Sequence, residues 1–160
     1  MKPYVCILML CLPLRHLHIN SAFGYRLNPV TGKYQLHGGV DLHARQDTVF
    51  AILNGTVRSA GFNNGLGFNV CLQHGNIQST YGHLREIMVG TSDSVRAGQP
   101  IGITGYSGRV TGEHLHFSLK YKGRLIDPIN FLYELLIKNE NEQKLQSTSC
   151  SAFRKADHGN

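Results

Sequence analysis

Residues 114–121 read His-Leu-His-Phe-Ser-Leu-Lys-Tyr, a strict alternation of polar and apolar side chains. A period of two belongs to a strand, with His114, His116, Ser118 and Lys120 on one face and Leu115, Phe117, Leu119 and Tyr121 on the other. The apolar face is the natural core face, so the two imidazoles emerge together on the wetter side. Their attachment points are about 7 Å apart, two residues at about 3.3 Å each. At that spacing both can ligate one metal ion, or one can ligate while its neighbour handles protons beside it. Taken alone, the pair also fits two surface histidines on a half-buried strand.

The alternation recurs along the chain. Short runs at 14–19, 48–53, 55–60, 67–74, 77–83 and 101–104, separated by Gly and Asn turn signals, predict further strands. A short turn is expected at 84–88. The best helix is 128–138, with Pro128 at its first position and Asp127 as N-cap. A chain of 160 residues, 41% hydrophobic, suits one domain with its own core, and 18 glycines with 5 prolines mark many tight turns. The expected fold class is therefore all-β, a compact single domain of mostly antiparallel sheet with one short C-terminal helix.

A second polar constellation lies at 37–41, His-Gly-Gly-Val-Asp. A helix would put His37 and Asp41 on one face, but each of the two glycines costs about 1 kcal/mol there. A straight strand would hold them about 13 Å apart. The chain must bend between them, and Gly38 and Gly39 permit a kink that other residues resist. Imidazole nitrogens and carboxylate oxygens are standard zinc ligands, and catalytic zinc sites use three protein ligands and keep one position open. His37, Asp41 and His116 suffice for such a site. In 77–83, Ile77, Ser79, Tyr81 and His83 share a face, with His83 at the strand end where loops open onto a cleft. His74 reads as structural, His43 as support for a ligand, and His16 and His18 have no evident partner.

Six segments in order, Ser-Ala-Phe-Gly-Tyr-Arg (21–26), His-Gly-Gly-Val-Asp-Leu (37–42), Thr-Tyr-Gly-His-Leu (80–84), Gly-Gln-Pro-Ile-Gly-Ile-Thr-Gly (98–105), Gly-Glu-His-Leu-His-Phe (112–117) and Ile-Asp-Pro-Ile-Asn-Phe-Leu (126–132), resemble the lysostaphin/LytM family of zinc metalloendopeptidases. The resemblance covers about residues 14–133. It implies an active-site groove, Zn2+ held by His37, Asp41 and His116, and a catalytic pair of His114 and His83. It also implies peptidoglycan as the partner and hydrolysis of its peptide cross-links or stem peptides by metal-activated water. None of the five positions is substituted, which separates this chain from degenerate relatives that act as non-catalytic cell-wall-binding or hydrolase-activating modules, the alternative reading. A zinc peptidase acting on a protein or peptide is a third. Glu113 stands where many relatives carry Pro or another small residue.

No His-Glu-x-x-His signature occurs, so histidine must carry the protons, and an unperturbed pKa of about 6.5 suits it. His114 is expected to be the general base and later the proton donor to the leaving amine, with His83 on the developing oxyanion or orienting the water; the two roles are interchangeable on sequence.

The net charge of +6, from 16 basic and 10 acidic residues, favours polyanionic partners such as cell-wall polymers. No nucleic-acid motif appears and the basic residues are dispersed, so nucleic acid is not an expected partner. Residues 1–12, with one positive charge before an apolar run, read as a leader too short to span a bilayer. Export to the cell envelope, periplasm or cell surface, follows as an expectation. The domain is expected over 13–138 and a polar, disordered tail over 139–160. Cys6 and Cys11 sit in the leader, Cys150 in the tail and Cys71 in a strand as a buried thiol, so no disulfide framework is expected. Oligomeric state and any regulatory protein are left open.

Overall fold

The computed structural model describes residues 11–28, 31–138 and 140–141. These contain strands β1 (Ile19–Ser21), β2 (Gly24–Leu27), β3 (Tyr34–His37), β4 (Val40–His43), β5 (Thr48–Phe50), β6 (Gly55–Asn63), β7 (Gly67–His74), β8 (Ile77–Ile87), β9 (Ser94–Val95), β10 (Pro100–Thr104), β11 (His114–Tyr121) and β12 (Arg124–Ile126). Residues 128–138 form a helix, α1, and Asp127 Oδ1 accepts the Ile129 N–H at 2.9 Å as its N-cap. The expected all-β class and its single short helix are what the structure shows. The leader and the tail lie largely outside the described residues. At their inner ends, Cys11 N–H donates to the Ile52 carbonyl, Leu12 packs on the core, and residues 140–141 are helical.

The main sheet runs β1-β4-β11-β8-β7-β6-β9, with β12 on β11, and with β10 joining β8 to β5. Every pairing is antiparallel. β11 shows the expected alternation, with Leu115, Phe117 and Leu119 fully buried and His114, His116 and Ser118 half-buried opposite them. Across from β11, Val40 and Leu42 of β4 enter the same core. The hairpin β2-β3 forms a separate two-stranded ribbon.

Two expected elements differ. Residues 13–16 are bends and pairing begins only at Ile19, because Leu14 plugs the core while Arg15 and His16 face solvent. That alternation reflects one buried plug, not a ladder. The turn expected at 84–88 is strand, since β8 continues to Ile87 with Leu84, Glu86 and Ile87 paired to β10.

One polar chain crosses the core. His74 Nδ1 lies 2.9 Å from the Asn54 carbonyl and its Nε2 2.8 Å from Ser79 Oγ; Ser79 lies 3.2 Å from the Tyr81 hydroxyl, which accepts the Ile52 N–H at 3.1 Å. A neutral His74 satisfies every link in one direction, with Ser79 donating to the imidazole and Tyr81 to Ser79. Burial pushes the His74 pKa down, consistent with that neutral ring. The structural reading of His74 therefore has a physical basis. Tyr81→Phe leaves the buried Ile52 N–H without an acceptor; we expect a loss of about 1–3 kcal/mol in denaturant-induced unfolding.

Candidate metal centre and its groove

Register builds the centre. In the β4–β11 ladder Asp41 stands directly opposite His116, and His43 opposite His114. Directly opposed side chains on one face lie about 5 Å apart at Cβ. His37 ends β3, and the kink at Gly38–Gly39 returns the chain into β4 so that His37 meets Asp41. A Cβ on Gly39 would lie 2.6 Å from the Phe117 carbonyl oxygen and 2.8 Å from His116 Nε2, so only glycine permits this approach.

The result is a knot of donors. Asp41 Oδ1 lies 3.1 Å from His37 Nε2 and 2.9 Å from His116 Nδ1, and the two nitrogens are 3.3 Å apart. His37 Nδ1 donates to the Ala22 carbonyl at 2.8 Å, so a neutral His37 carries its lone pair on Nε2, facing the carboxylate. Lone pairs converging on one point require protons or a cation between them. Ligands about 2.0–2.1 Å from a tetrahedral zinc sit roughly 3.3 Å from one another. The three atoms match that spacing and the donor chemistry, so His37, Asp41 and His116 fit a metal ion.

Electrostatics point the same way. Burial alone would raise the Asp41 pKa, but the contacts with His114, His116 and His37 outweigh it and hold the carboxyl well below the usual carboxylate range. Arg26 Nη2 donates to Asp41 Oδ2 at 3.2 Å, while its Nε is buried with no acceptor among the described residues. Asp41 thus spends one oxygen on the imidazoles and the other on a guanidinium.

His114 Nδ1 donates to the Gly112 carbonyl at 2.8 Å, and its Nε2 lies 3.5 Å from Asp41 Oδ1. Burial opposes its protonation, but the hydrogen bonds to Asp41 and Gly112 prevail and its pKa is raised. His83 corrects the sequence reading in one respect. It neither ends β8 nor continues the Ser79–Tyr81 face, which lies in the core. Its φ is +62°, the left-handed region. That reversal carries the ring out of the core alternation and beside the other imidazoles, with centroids 4.8 Å from His114 and 5.9 Å from His116. Its Nδ1 donates to the Ser107 carbonyl at 2.9 Å, and burial pushes its pKa down to about 4. A left-handed non-glycine residue costs about 1–3 kcal/mol, and such strain gathers at functional sites.

These side chains line a groove of about 350 Å³, with Arg26, Asn28 and Gln35 from the ribbon and Gly65, Leu66 and Arg109–Thr111 from loops. A second cavity of about 290 Å³ continues it past Asp41 and His114 to Glu113 and Ser21. His43 does not support a ligand; its ring packs edge-on against His18, 5.8 Å away, in a separate cleft with His16. The sequence reading did not single out Arg26, which ends the 21–26 segment and reaches Asp41. The carbonyls of Ala22, Ser107 and Gly112 left no signal, because backbone acceptors carry no residue identity.

Residues 35–128 match Peptidase family M23. DD-carboxypeptidase/endopeptidase Mpg of Neisseria meningitidis is 36% identical over 120 residues, 74% of this chain and 28% of that protein. Peptidoglycan DD-endopeptidase ShyC of Vibrio cholerae is 39% identical over 114 residues, 69% of this chain and 26% of that protein. The catalytic domain of lysostaphin from Staphylococcus simulans superimposes with a TM-score of 0.65 at 32% identity, covering 73% of this chain and 92% of that one. The chain belongs to peptidase family M23. It spans about a quarter of the length of the curated relatives it matches.

An ion that binds the folded donors alone stabilises the fold, by about 2.7 kcal/mol at a hundredfold excess over its Kd. Zn2+ is therefore expected to raise the Tm, reversibly on chelation, and the rise should vanish in Asp41→Ala, as differential scanning fluorimetry will show.

Proposed function

We propose that this chain is a zinc-dependent endopeptidase that hydrolyses peptide cross-links or stem peptides of bacterial peptidoglycan. The observation that carries it is the assembly of five side chains, His37, Asp41, His116, His114 and His83, in one groove of a family M23 fold. The name of the Vibrio relative, a peptidoglycan DD-endopeptidase, supplies the substrate class. Zn2+ at His37, Asp41 and His116 would supply a Lewis acid for the scissile carbonyl and a water acidified toward neutrality.

The protein's own residues divide the remaining work by tautomer. His114 gives its Nδ1–H to Gly112, so Nε2 takes a proton from the attacking water. Asp41, 3.5 Å from that Nε2, stabilises the imidazolium that results. The same proton then passes to the departing amine. His83 gives its Nδ1–H to Ser107 and also presents a lone pair at Nε2. An acceptor there orients a water hydrogen; it has no proton for an oxyanion. Of the two roles open to His83, water orientation is the better supported. Arg26 fixes the carboxylate so that Oδ1 faces the imidazoles.

A substrate of this kind places the chain at the cell envelope. Among the described residues no helix is long and apolar enough to cross a membrane. The five side chains, none of them replaced, favour the catalytic reading over the non-catalytic one.

His114→Ala should retain the metal and lose turnover by roughly 10²–10⁴-fold, the usual worth of general acid–base catalysis. His116→Ala should lose both. Metal content by mass spectrometry, with fragment release from purified cell walls, checks the pair; a His114→Ala protein of near-normal rate refutes the assignment.

A further inference from the structure

The groove is electrically uneven along its length. On one side of the donor knot its wall carries Arg109, and on the other Glu113. The Glu113 carboxylate is held by the Gln46 N–H at 2.6 Å. The Arg109 guanidinium makes no hydrogen bond or ion pair among the described residues.

The segment bearing Arg109 is nonetheless rigidly placed. Arg109 N–H donates to the Gly65 carbonyl at 3.0 Å, and Ser107 Oγ accepts the Phe68 N–H at 2.9 Å. Gly108, at φ +79°, packs so closely that an added Cβ would lie 2.3 Å from the Gly67 nitrogen. Ser107 in the same segment orients His83. A fixed backbone thus sets the exposed Arg109 on the groove wall, two residues from the carbonyl that orients His83. A guanidinium, with its planar fork of donors, is the side chain best matched to a carboxylate.

We infer that Arg109 is a specificity-determining residue that binds a carboxylate of the peptide being cut, so that the preferred substrate is an anionic peptide and not a neutral one such as a glycine bridge. This rests on the endopeptidase reading and deepens it. Glu113 at the other end repels the same carboxylate and leaves one orientation of the peptide favoured.

The test uses a matched pair of cross-linked muropeptide dimers, one with free stem-peptide carboxylates and one with the same carboxylates amidated. Wild-type protein loaded with Zn2+ should cleave the free-acid dimer roughly ten- to a hundredfold more efficiently in kcat/KM, the worth of a charge-assisted hydrogen bond. In Arg109→Gln that ratio should fall to about one through loss on the free-acid dimer, and Arg109→Lys should keep part of it. Metal content and Tm are recorded for each variant. Equal cleavage of both dimers by the wild type, or an equal loss on both in Arg109→Gln, overturns this inference alone. Cleavage of neither dimer by the wild type overturns the endopeptidase reading and this inference with it.

Discussion

The centre depends on one register. Antiparallel pairing of β4 with β11 sets Asp41 against His116, and a slip of one residue would turn Asp41 into the core and Leu42 out of it. What prevents the slip lies on the other face of the sheet. Val40, Leu42, Leu115 and Phe117 are all fully buried there. Each such side chain gains roughly 1.5–3 kcal/mol by burial, so exposing even two costs more than any single polar contact at the centre returns. Apolar packing thus fixes the spacing of the polar donors. The close contact of Gly39 with the Phe117 carbonyl extends the same constraint to His37.

His83 joins the site by a different route. Regular alternation would have set its ring beside Tyr81 in the apolar core, and the left-handed turn of its backbone brings the ring, still buried, beside the other imidazoles. The strain is sustained on both sides of the residue. His83 N–H donates to the Leu66 carbonyl at 2.6 Å and its ring to the Ser107 carbonyl at 2.9 Å. The 65–68 and 107–109 segments are in turn bound to each other. A residue in a costly conformation held by two interlocked loops is well determined in position.

Much of this was legible in the sequence, for identifiable reasons. The period-two pattern of 114–121 gave β11 its faces, and the glycine pair gave the kink, because both follow from local sterics. Asp127 and Pro128 gave the start of α1 for the same reason. Non-local geometry was not legible. The extension of β8 through 84–87 depends on β10 as a partner. The absence of a strand at 14–18 depends on Leu14 finding a pocket in the core. Arg26, only the last residue of a family-like segment in sequence, acquires meaning when folding sets its guanidinium on Asp41.

The imidazoles share a device that ties chemistry to selectivity. His37, His83 and His114 each give Nδ1–H to a backbone carbonyl, those of Ala22, Ser107 and Gly112. A carbonyl acceptor fixes a tautomer whatever side chain its residue bears, so the loops are free to vary in sequence while the lone pairs stay on Nε2. Two of these acceptors, Ser107 and Gly112, bracket the segment that supplies Arg109, Val110 and Thr111 to the groove wall. Side chains in that segment can change the groove wall, whereas a change in its backbone path would move the His83 and His114 imidazoles together. The chemistry of the groove wall and the orientation of the imidazoles are therefore separable at the level of side chains and inseparable at the level of the main chain.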